Sequence, residues 1–427
     1  FTGLAISAFI AFPNFTHAAD QVVTNNDDSG AGSLRRAVAD VGDGEEITFN
    51  LSDENETITL SSEINMVSLN KSVTVEGTNA VGSGVDVTIQ VTNPGSSSFR
   101  VFNIRPGTGK MITLKNMTIK GGDIKAAGSV LRDGGAISAD WYGGLTLDNV
   151  TITGSTAARG GGIYVYNLNG GLTITNSTIS NNTAYYYSNF GGNGGGIYVR
   201  DTDTVITGTT MDSNTINGSG GNGQSGGGIY SYSNNLTIDK TTISNSTASH
   251  SGGGIYDTGG STVVLTNSTI HGNTTNASNG GGINFSGGTS TITNTTIFNN
   301  TAYYFGGGAI LSGTNYLTNS TIANNLLTYA SYEAEGLYNS GILYIKNTIL
   351  ANNDSDFYNG GTVNNNGYNI VETSTGYTFS GTGDITGNQT NLWGTGVSAT
   401  PSLANNSTVN GTQTLALSAG SVAIDAG

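Results

Sequence analysis

The chain has 427 residues, no cysteine and a formal net charge of −15, and only 10% of its residues are charged. Ordinary globular domains carry about 25% charged residues, and this composition, rich in Gly, Asn and Thr, excludes a fold of long helices. The acidic balance opposes nucleic acid, whose phosphates need a basic footprint, and is read as a solubility device.

Residues 1–19 read as an export signal. The run LAISAFIAF is too short to span a bilayer, and THAAD offers a small-residue cleavage site near Ala18 or Ala19. The basic segment and initiator Met expected before such a run are missing, so the record is expected to be truncated there. An exported chain without Cys is held by something other than disulfides.

Residues 20–57 are expected to form an N-terminal cap containing the one helical stretch, SGAGSLRRAVADV (29–41). Ser33 suits an N-cap, and Leu34, Ala37 and Val38 share one face.

Residues 58–352 repeat. After Gly pairs or triples come Ile137, Ile163, Ile197, Ile229, Ile255, Ile283 and Ile310. A second phrase ends in Ile119, Ile152, Ile179, Met211, Ile243, Ile270, Ile297, Ile322 and Ile349, which sets a unit of about 25–33 residues. Each unit holds three short strand-like segments, as in IYVY, LTIT and STIS, with no helical period. One such unit cannot bury its own apolar side chains. Stacked coil on coil it can, with Ile pointing inward and each strand paired to its copies about 4.8 Å away. The predicted fold is all-β, a single right-handed parallel β-helix, its hand taken from the crossover preference. Asn116, Asn149, Asn176, Asn267, Asn294 and Asn319 are expected at a bend, bonding one another up the stack. The Gly triples are expected to supply backbone angles closed to other residues. Over 353–427 the repeat decays into irregular last coils, and ALSAGSVAIDAG is expected to cover the far end.

Residues for chemistry are few. The close carboxylate pairs are Asp133/Asp140, Asp201/Asp203 and Asp354/Asp356; spacing i, i+2 in a strand places both acids on one face, but Arg200 stands ready to neutralise Asp201. His17 lies in the signal, while His250 and His271 fall in polar, turn-like contexts. No Ca²⁺-binding nonapeptide occurs, and no catalytic residue, metal site or cofactor is assigned. Asn-x-Ser/Thr triplets are abundant and are read as structural.

The tyrosines carry the binding hypothesis. With Ile inward, Tyr164, Tyr198, Tyr230 and Tyr256 point outward, and Tyr166 and Tyr232 lie two residues on along the same face. Such a column is expected to be exposed and suited to stacking on sugar rings. The competing reading is that Tyr is a good strand residue whose stacked rings stabilise the wall. An ice-matching surface is disfavoured, because Thr113, Thr146, Thr173, Val205, Thr237, Val264, Thr291 and Tyr316 form a broken column and the next includes Lys115, Asp148 and Asp239.

Together VTNNDDSGAGSLRRAVAD, EEITFNL, RVFNI, the GG-A/G-I repeats, NGYNIVETSTGYTFSGTGD and LALSAGSVAIDAG resemble bacterial secreted β-helix proteins of the polymorphic outer-membrane protein and choice-of-anchor type. That family pairs GGA-I with F-x-x-N. Here Ile or Met replaces Phe, as in Ile179/Asn182, Met211/Asn214, Ile270/Asn273, Ile297/Asn300, Ile322/Asn325 and Ile349/Asn352. The resemblance implies an extracellular or cell-surface protein, often an adhesin, and further sequence after Gly427 carrying an anchor. The expectation is a non-catalytic surface protein that binds a glycan or cell-surface ligand, with no nucleic-acid partner and membrane attachment only through that missing segment. The rival is a carbohydrate-active lyase or hydrolase, which would be favoured by a groove bringing three acids and a Lys or Arg together.

Overall fold

The computed structural model describes residues 20–387, with short gaps at 53–56, 68, 81–86, 94–97, 125–131, 188–189, 219–222, 234 and 330–333. Beyond these it describes Leu392 and the antiparallel strands Leu403–Asn405 and Gln413–Leu415. The signal (1–19) and the AIDAG segment lie outside the described residues.

Each coil winds through three main walls and, centrally, a short fourth. In one coil these are Ile163–Tyr166, Leu172–Thr175, Thr178–Ser180 and Thr183–Tyr187. Each strand pairs in parallel with its counterpart one coil on, and about 11 turns stack into a β-solenoid. Register is strict, as it must be when one face is buried. Ile163, Ile197, Ile229, Ile255 and Ile283 are consecutive partners, all at 0% exposure. The apolar columns of the three main walls merge into one continuous core.

Two residues leave the predicted inward series. Ala309, not Ile310, follows Ile283, because this coil reads GGGA and its triplet begins one residue early relative to Ile310. Likewise Leu350, not Ile349, pairs with Ile322. A one-residue slip exchanges the two faces of a strand.

The asparagines form more than one column. The predicted one is a bend: Asn116, Asn149, Asn176, Asn267, Asn294 and Asn319 all have φ between 49° and 54°. Asn tolerates this left-handed region better than most residues. The column lies at the surface and bonds in pairs, such as Asn149 to Asn116 (2.9 Å) and Asn294 to Asn267 (3.1 Å); Asn176 turns to Asp148 instead (3.3 Å), and Gly208 and Lys240 interrupt the series. This bend also accounts for the glycosylation-like triplets: Asn turns the chain, the next residue enters the core and Thr begins the outer face of the third wall.

The buried ladder is another one. Asn182, Asn214, Asn273, Asn300 and Asn325 have 0% exposure. Asn300 donates through Nδ2 to the Ile270 carbonyl (3.0 Å) and to Asn325 Oδ1 (3.0 Å), while its own Oδ1 accepts the Asn273 main-chain N–H (3.0 Å). Ser246 fills one rung, and Asn353, not Asn352, continues the ladder to Asp356, which accepts from it at 2.8 Å.

The Gly triples divide their roles. In Gly226–Gly228 only the first has a positive φ, 74°. At Gly227 a Cβ would run into the Gly253 carbonyl and the Thr247 backbone. There the requirement is close approach rather than the unusual backbone angle expected from sequence.

The cap helix is Leu34–Asp40, with Ser33 accepting from the Arg36 N–H (3.2 Å) and Leu34, Ala37 and Val38 buried. Parallel pairing already begins inside the segment read as a cap, at Gln21–Val23 against Glu45–Phe49. The irregular last coils expected after 352 keep their parallel pairing. Coils continue through Phe357–Asn359, Ser374–Thr375 and Ile385–Thr386, with side chains one coil apart now 20, 17 and 15 residues apart in sequence. The repeat looked lost because its loops shorten.

Candidate functional site

The outer face of the first wall carries the tyrosines, since Ile163 and Val165 turn inward and Tyr164 and Tyr166 outward. Tyr164, Tyr198, Tyr230 and Tyr256 are register partners, with successive ring centroids 5.2, 5.0 and 5.5 Å apart. The stack itself was legible in the sequence; its exposure was not. Tyr164 and Tyr198 are only 7% and 5% exposed, and Tyr230 and Tyr256 are half-buried.

Arg159 supplies part of the cover. Its guanidinium lies 5.0 Å from the Tyr164 ring centroid and 5.3 Å from that of Tyr198, held by Asp133 through bonds of 2.8 and 2.6 Å. Burial opposes the charge on Arg159, yet the Asp133 bonds outweigh it and hold the guanidinium ionised more firmly than usual. Burial pushes the Tyr164 and Tyr230 phenols well above their ordinary range, so both stay neutral. Continuing past Asn284 and Ile310, the same column reaches a second stack, Tyr338 on Tyr358 at 5.4 Å, before Thr375. Sequence reading missed this pair because the residues before them are Leu337 and Phe357 rather than Ile after a Gly triple.

The column two residues along is the one solvent reaches. It runs Asp140, Tyr166, Arg200, Tyr232 in register. Arg200 sits between two rings, 5.6 Å from Tyr166 and 5.3 Å from Tyr232. Trp141 meets Tyr166 edge to face at 5.1 Å. Tyr232, Trp141 and Tyr142 are 42%, 40% and 49% exposed.

Trp141 and Tyr142 have φ of 56° and 72°. The equivalent bend in the next two coils is made by Asn167 and Asp201, as the donors from Trp141, Asn167 and Asp201 to the following coil show. Bulky residues in this region cost about 1–3 kcal/mol each and are retained where surrounding structure holds them. A sequence signal existed: the bend residue is Asn or Asp in the next two coils and Trp here.

Carboxylates and arginines gather at the foot of the tyrosines. Arg105 donates to Asp140 (2.8 Å), and Arg100, 4% exposed, lies 3.7 Å from Glu63. Burial pulls the Arg100 pKa down against the fields of Glu63, Asp133 and Asp140, which raise it. The sequence-predicted pair Asp133/Asp140 is thus brought into one charged cluster, with an arginine on each acid. Asp201 and Asp203 do not share a strand face: they occupy the turn after Ile197–Arg200, where Asp201 meets Arg200 (3.2 Å) and Asp203 accepts from Asn235 (3.0 Å). Asp356 is buried beneath its ladder while Asp354 is exposed. His271 is on the strand Thr269–His271 rather than in a turn, and burial lowers its pKa against the field of Asp212. Among the described residues, no group of three or more His, Asp or Glu is placed to hold a metal ion.

The family described as "Right handed beta helix region" matches residues 186–328, in agreement with the coil architecture. No curated protein and no solved structure matches the chain. The chain is a right-handed β-helix protein.

Proposed function

We propose that this β-helix is an exported, non-catalytic surface protein of the bacterial outer-membrane or choice-of-anchor type, and that it binds glycans through the strip Trp141, Tyr166, Arg200 and Tyr232. The observation that carries this reading is the composition of the strip: the exposed Tyr232 and half-buried Tyr166 rings on either side of a guanidinium, with the exposed Trp141 at a bend that Asn and Asp make in the next two coils. Rings offer faces for sugar C–H groups, and Arg200 and the Asp201 carboxylate offer hydroxyl partners at the edge. Tyr164 and Tyr198 then serve as a floor beneath Arg159 rather than as the contact surface. The predicted residues therefore divide, with Tyr166 and Tyr232 as ligand contacts and Tyr164, Tyr198, Tyr230 and Tyr256 as their support.

One observation favours the lyase or hydrolase reading: Arg100 lies in the field of three acids, Glu63, Asp133 and Asp140. Against it, Asp133 and Asp140 are engaged by Arg159 and Arg105, whereas glycoside hydrolysis needs one carboxyl to donate a proton and another to act as nucleophile or base.

The test is a variant combining Trp141→Asn, Tyr166→Thr and Tyr232→Ser, compared with the parent protein on a glycan array. Retained β-sheet circular dichroism with binding abolished is the expected result. Unchanged binding would remove the strip from consideration, and polysaccharide turnover lost in Asp133→Asn would establish the enzyme reading instead.

A further inference from the structure

A separate cleft begins three coils beyond Tyr232, at the third-wall bend. It has a volume of about 170 Å³ and is lined by Asn319, Thr321, Asn347, Ile349, Tyr368 and Ile370. Asn319 and Asn347 are successive members of the surface bend column, with φ of 51° and 49°, and Asn347 donates to Asn319 Oδ1 at 2.8 Å. The next member is Tyr368. Main-chain bonds fix this equivalence, since Asn319 N–H donates to the Lys346 carbonyl and Asn347 N–H to that of Gly367, each the residue just before the next bend. Tyr368 takes φ of 60° and is 39% exposed.

The amide ladder therefore ends against an aromatic ring. In a longer ladder the Asn347 side-chain carbonyl would accept from the following Asn, as Asn319 accepts from Asn347. Here the following residue has a phenol, and no described residue donates to that oxygen. Beside it, the outer third-wall column changes character. It is Thr from Thr57 to Thr321 and then becomes Ile349 and Ile370. Ile370 is buried in a small cluster with Ala351 and Leu392, so the cleft combines the half-buried Ile349, one ring, amide groups and the Thr321 hydroxyl, with no charged residue in its lining.

We propose that this cleft is a second binding site, taking one pyranose ring of an uncharged saccharide. A hydroxyl-rich ring matches the amides and Thr321 along its edge and presents C–H groups to Tyr368 and Ile349. Lack of lining charge excludes recognition of uronates or sulfated sugars by ion pairing. The volume is below that of pockets that enclose drug-sized ligands, about 300–1,000 Å³, and suits one ring rather than a chain. The site does not depend on the Trp141–Tyr232 strip and stands or falls separately.

Tyr368→Asn separates binding from folding, because Asn is the residue the two preceding coils use at this bend. The probes are methyl glycosides of glucose, galactose and mannose, with affinity read from ligand-observed and protein NMR titrations. At least one should bind the parent protein; Tyr368→Asn should weaken it at least tenfold with an unchanged or higher melting temperature, and the strip variant should bind it as before. Thr321→Val, which keeps the β-branched shape, should also weaken binding severalfold. Failure of all three glycosides to bind, or equal binding by both cleft variants, overturns the proposal. A Tyr368→Asn protein that melts early shows the tyrosine to be structural and also overturns it, unless Thr321→Val folds normally and has lost binding.

Discussion

Coils on either side of residue 154 share one architecture but are tied together differently. The N-terminal coils hold most of the cross-coil ion pairs: Lys115 reaches Glu76 (2.9 Å) and Glu46 (3.3 Å), Lys110 reaches Asp43 (2.5 Å), and Arg105 reaches Asp140 (2.8 Å). From Asn182 to Asn353 the tie is a buried amide ladder. An ion pair needs two residue types in alternation and is satisfied after two coils. An amide is donor and acceptor at once, so a single residue type can repeat without limit. The repeat is plainest in sequence where the tie is self-complementary and faintest where it is ionic.

Breaking the ladder should have the largest effect. Asn300→Leu strands the Asn273 N–H and removes the side-chain donor to the Ile270 carbonyl in a site of 0% exposure, while Asn325 Oδ1 keeps the Asn300 main-chain N–H (2.9 Å). Each buried polar group left without a partner costs about 1–3 kcal/mol, and a total loss of about 3 kcal/mol is expected in urea unfolding. A loss below about 1 kcal/mol would mean that the ladder is decoration. Gly227→Ala comes next. Its Cβ meets the Gly253 carbonyl and the Thr247 backbone, neither of which can rotate away, so about 1–3 kcal/mol of overpacking is expected in the same measurement. A negligible loss would show that the coil spacing there is compliant.

The two regions should also respond to acid with opposite signs. Asp257 points inward among the central coils at 0% exposure, and burial raises its pKa to about 6 against opposing bonds from Ser231 and Ser261. A carboxyl raised in the folded state adds stability that is full below its unfolded pKa, near 3.8, and is lost as pH rises through about 6. The stability of Asp257→Asn relative to the parent should therefore improve by about 2 kcal/mol between pH 4 and pH 8. In the N-terminal coils, burial tends to raise the Glu76 pKa, but bonds from Lys115, Asn116 and Thr78 bring it down to about 2. Its contribution is present above the ordinary value of 4.5 and lost as pH falls toward 2. Lys115→Met should cost no more than about 1 kcal/mol at pH 7, as half-exposed ion pairs do, with the difference shrinking at pH 3. A difference independent of pH would dissociate Glu76 from the stability of these coils.

Legibility followed the same division. Columns of one residue type (the inward Ile, the outward Tyr stack, the broken Thr113–Tyr316 series) were read directly, because parallel in-register stacking turns sequence period into spatial neighbours. Ile310 and Ile349 were misplaced because a one-residue shift in the loop leaves the phrase intact while reversing the face. The surface and buried asparagines were confused because both recur once per coil, and only hydrogen-bond partners distinguish them. Arg159 over the tyrosines could not be found from strand alternation at all: it reaches the outer face from the preceding turn. Exposure, unlike direction, depends on what the loops do.

The smallest effect should come from repairing a column. Lys240 occupies the surface bend with φ of 48°, between Gly208 below and Asn267 above, a position where Asn116, Asn149, Asn176, Asn294 and Asn319 stand in other coils. It is exposed and lies outside the ion pairs formed among the described residues. A long side chain gains nothing at a left-handed bend, whereas Asn lowers the cost of that backbone angle through its own side chain. Asn267 already donates to Asp239 at 2.7 Å, so an amide at 240 must share that carboxylate or turn toward the Gly208 coil. The gain is therefore limited to backbone preference, about 0.5 kcal/mol, the low end of what such surface repairs yield. Lys240→Asn should raise the melting temperature slightly and leave glycan binding unaltered. A lower melting temperature would mean that the interruption is selected, with Lys240 relieving the negative charge of Asp239 and Asp212 on the adjoining walls.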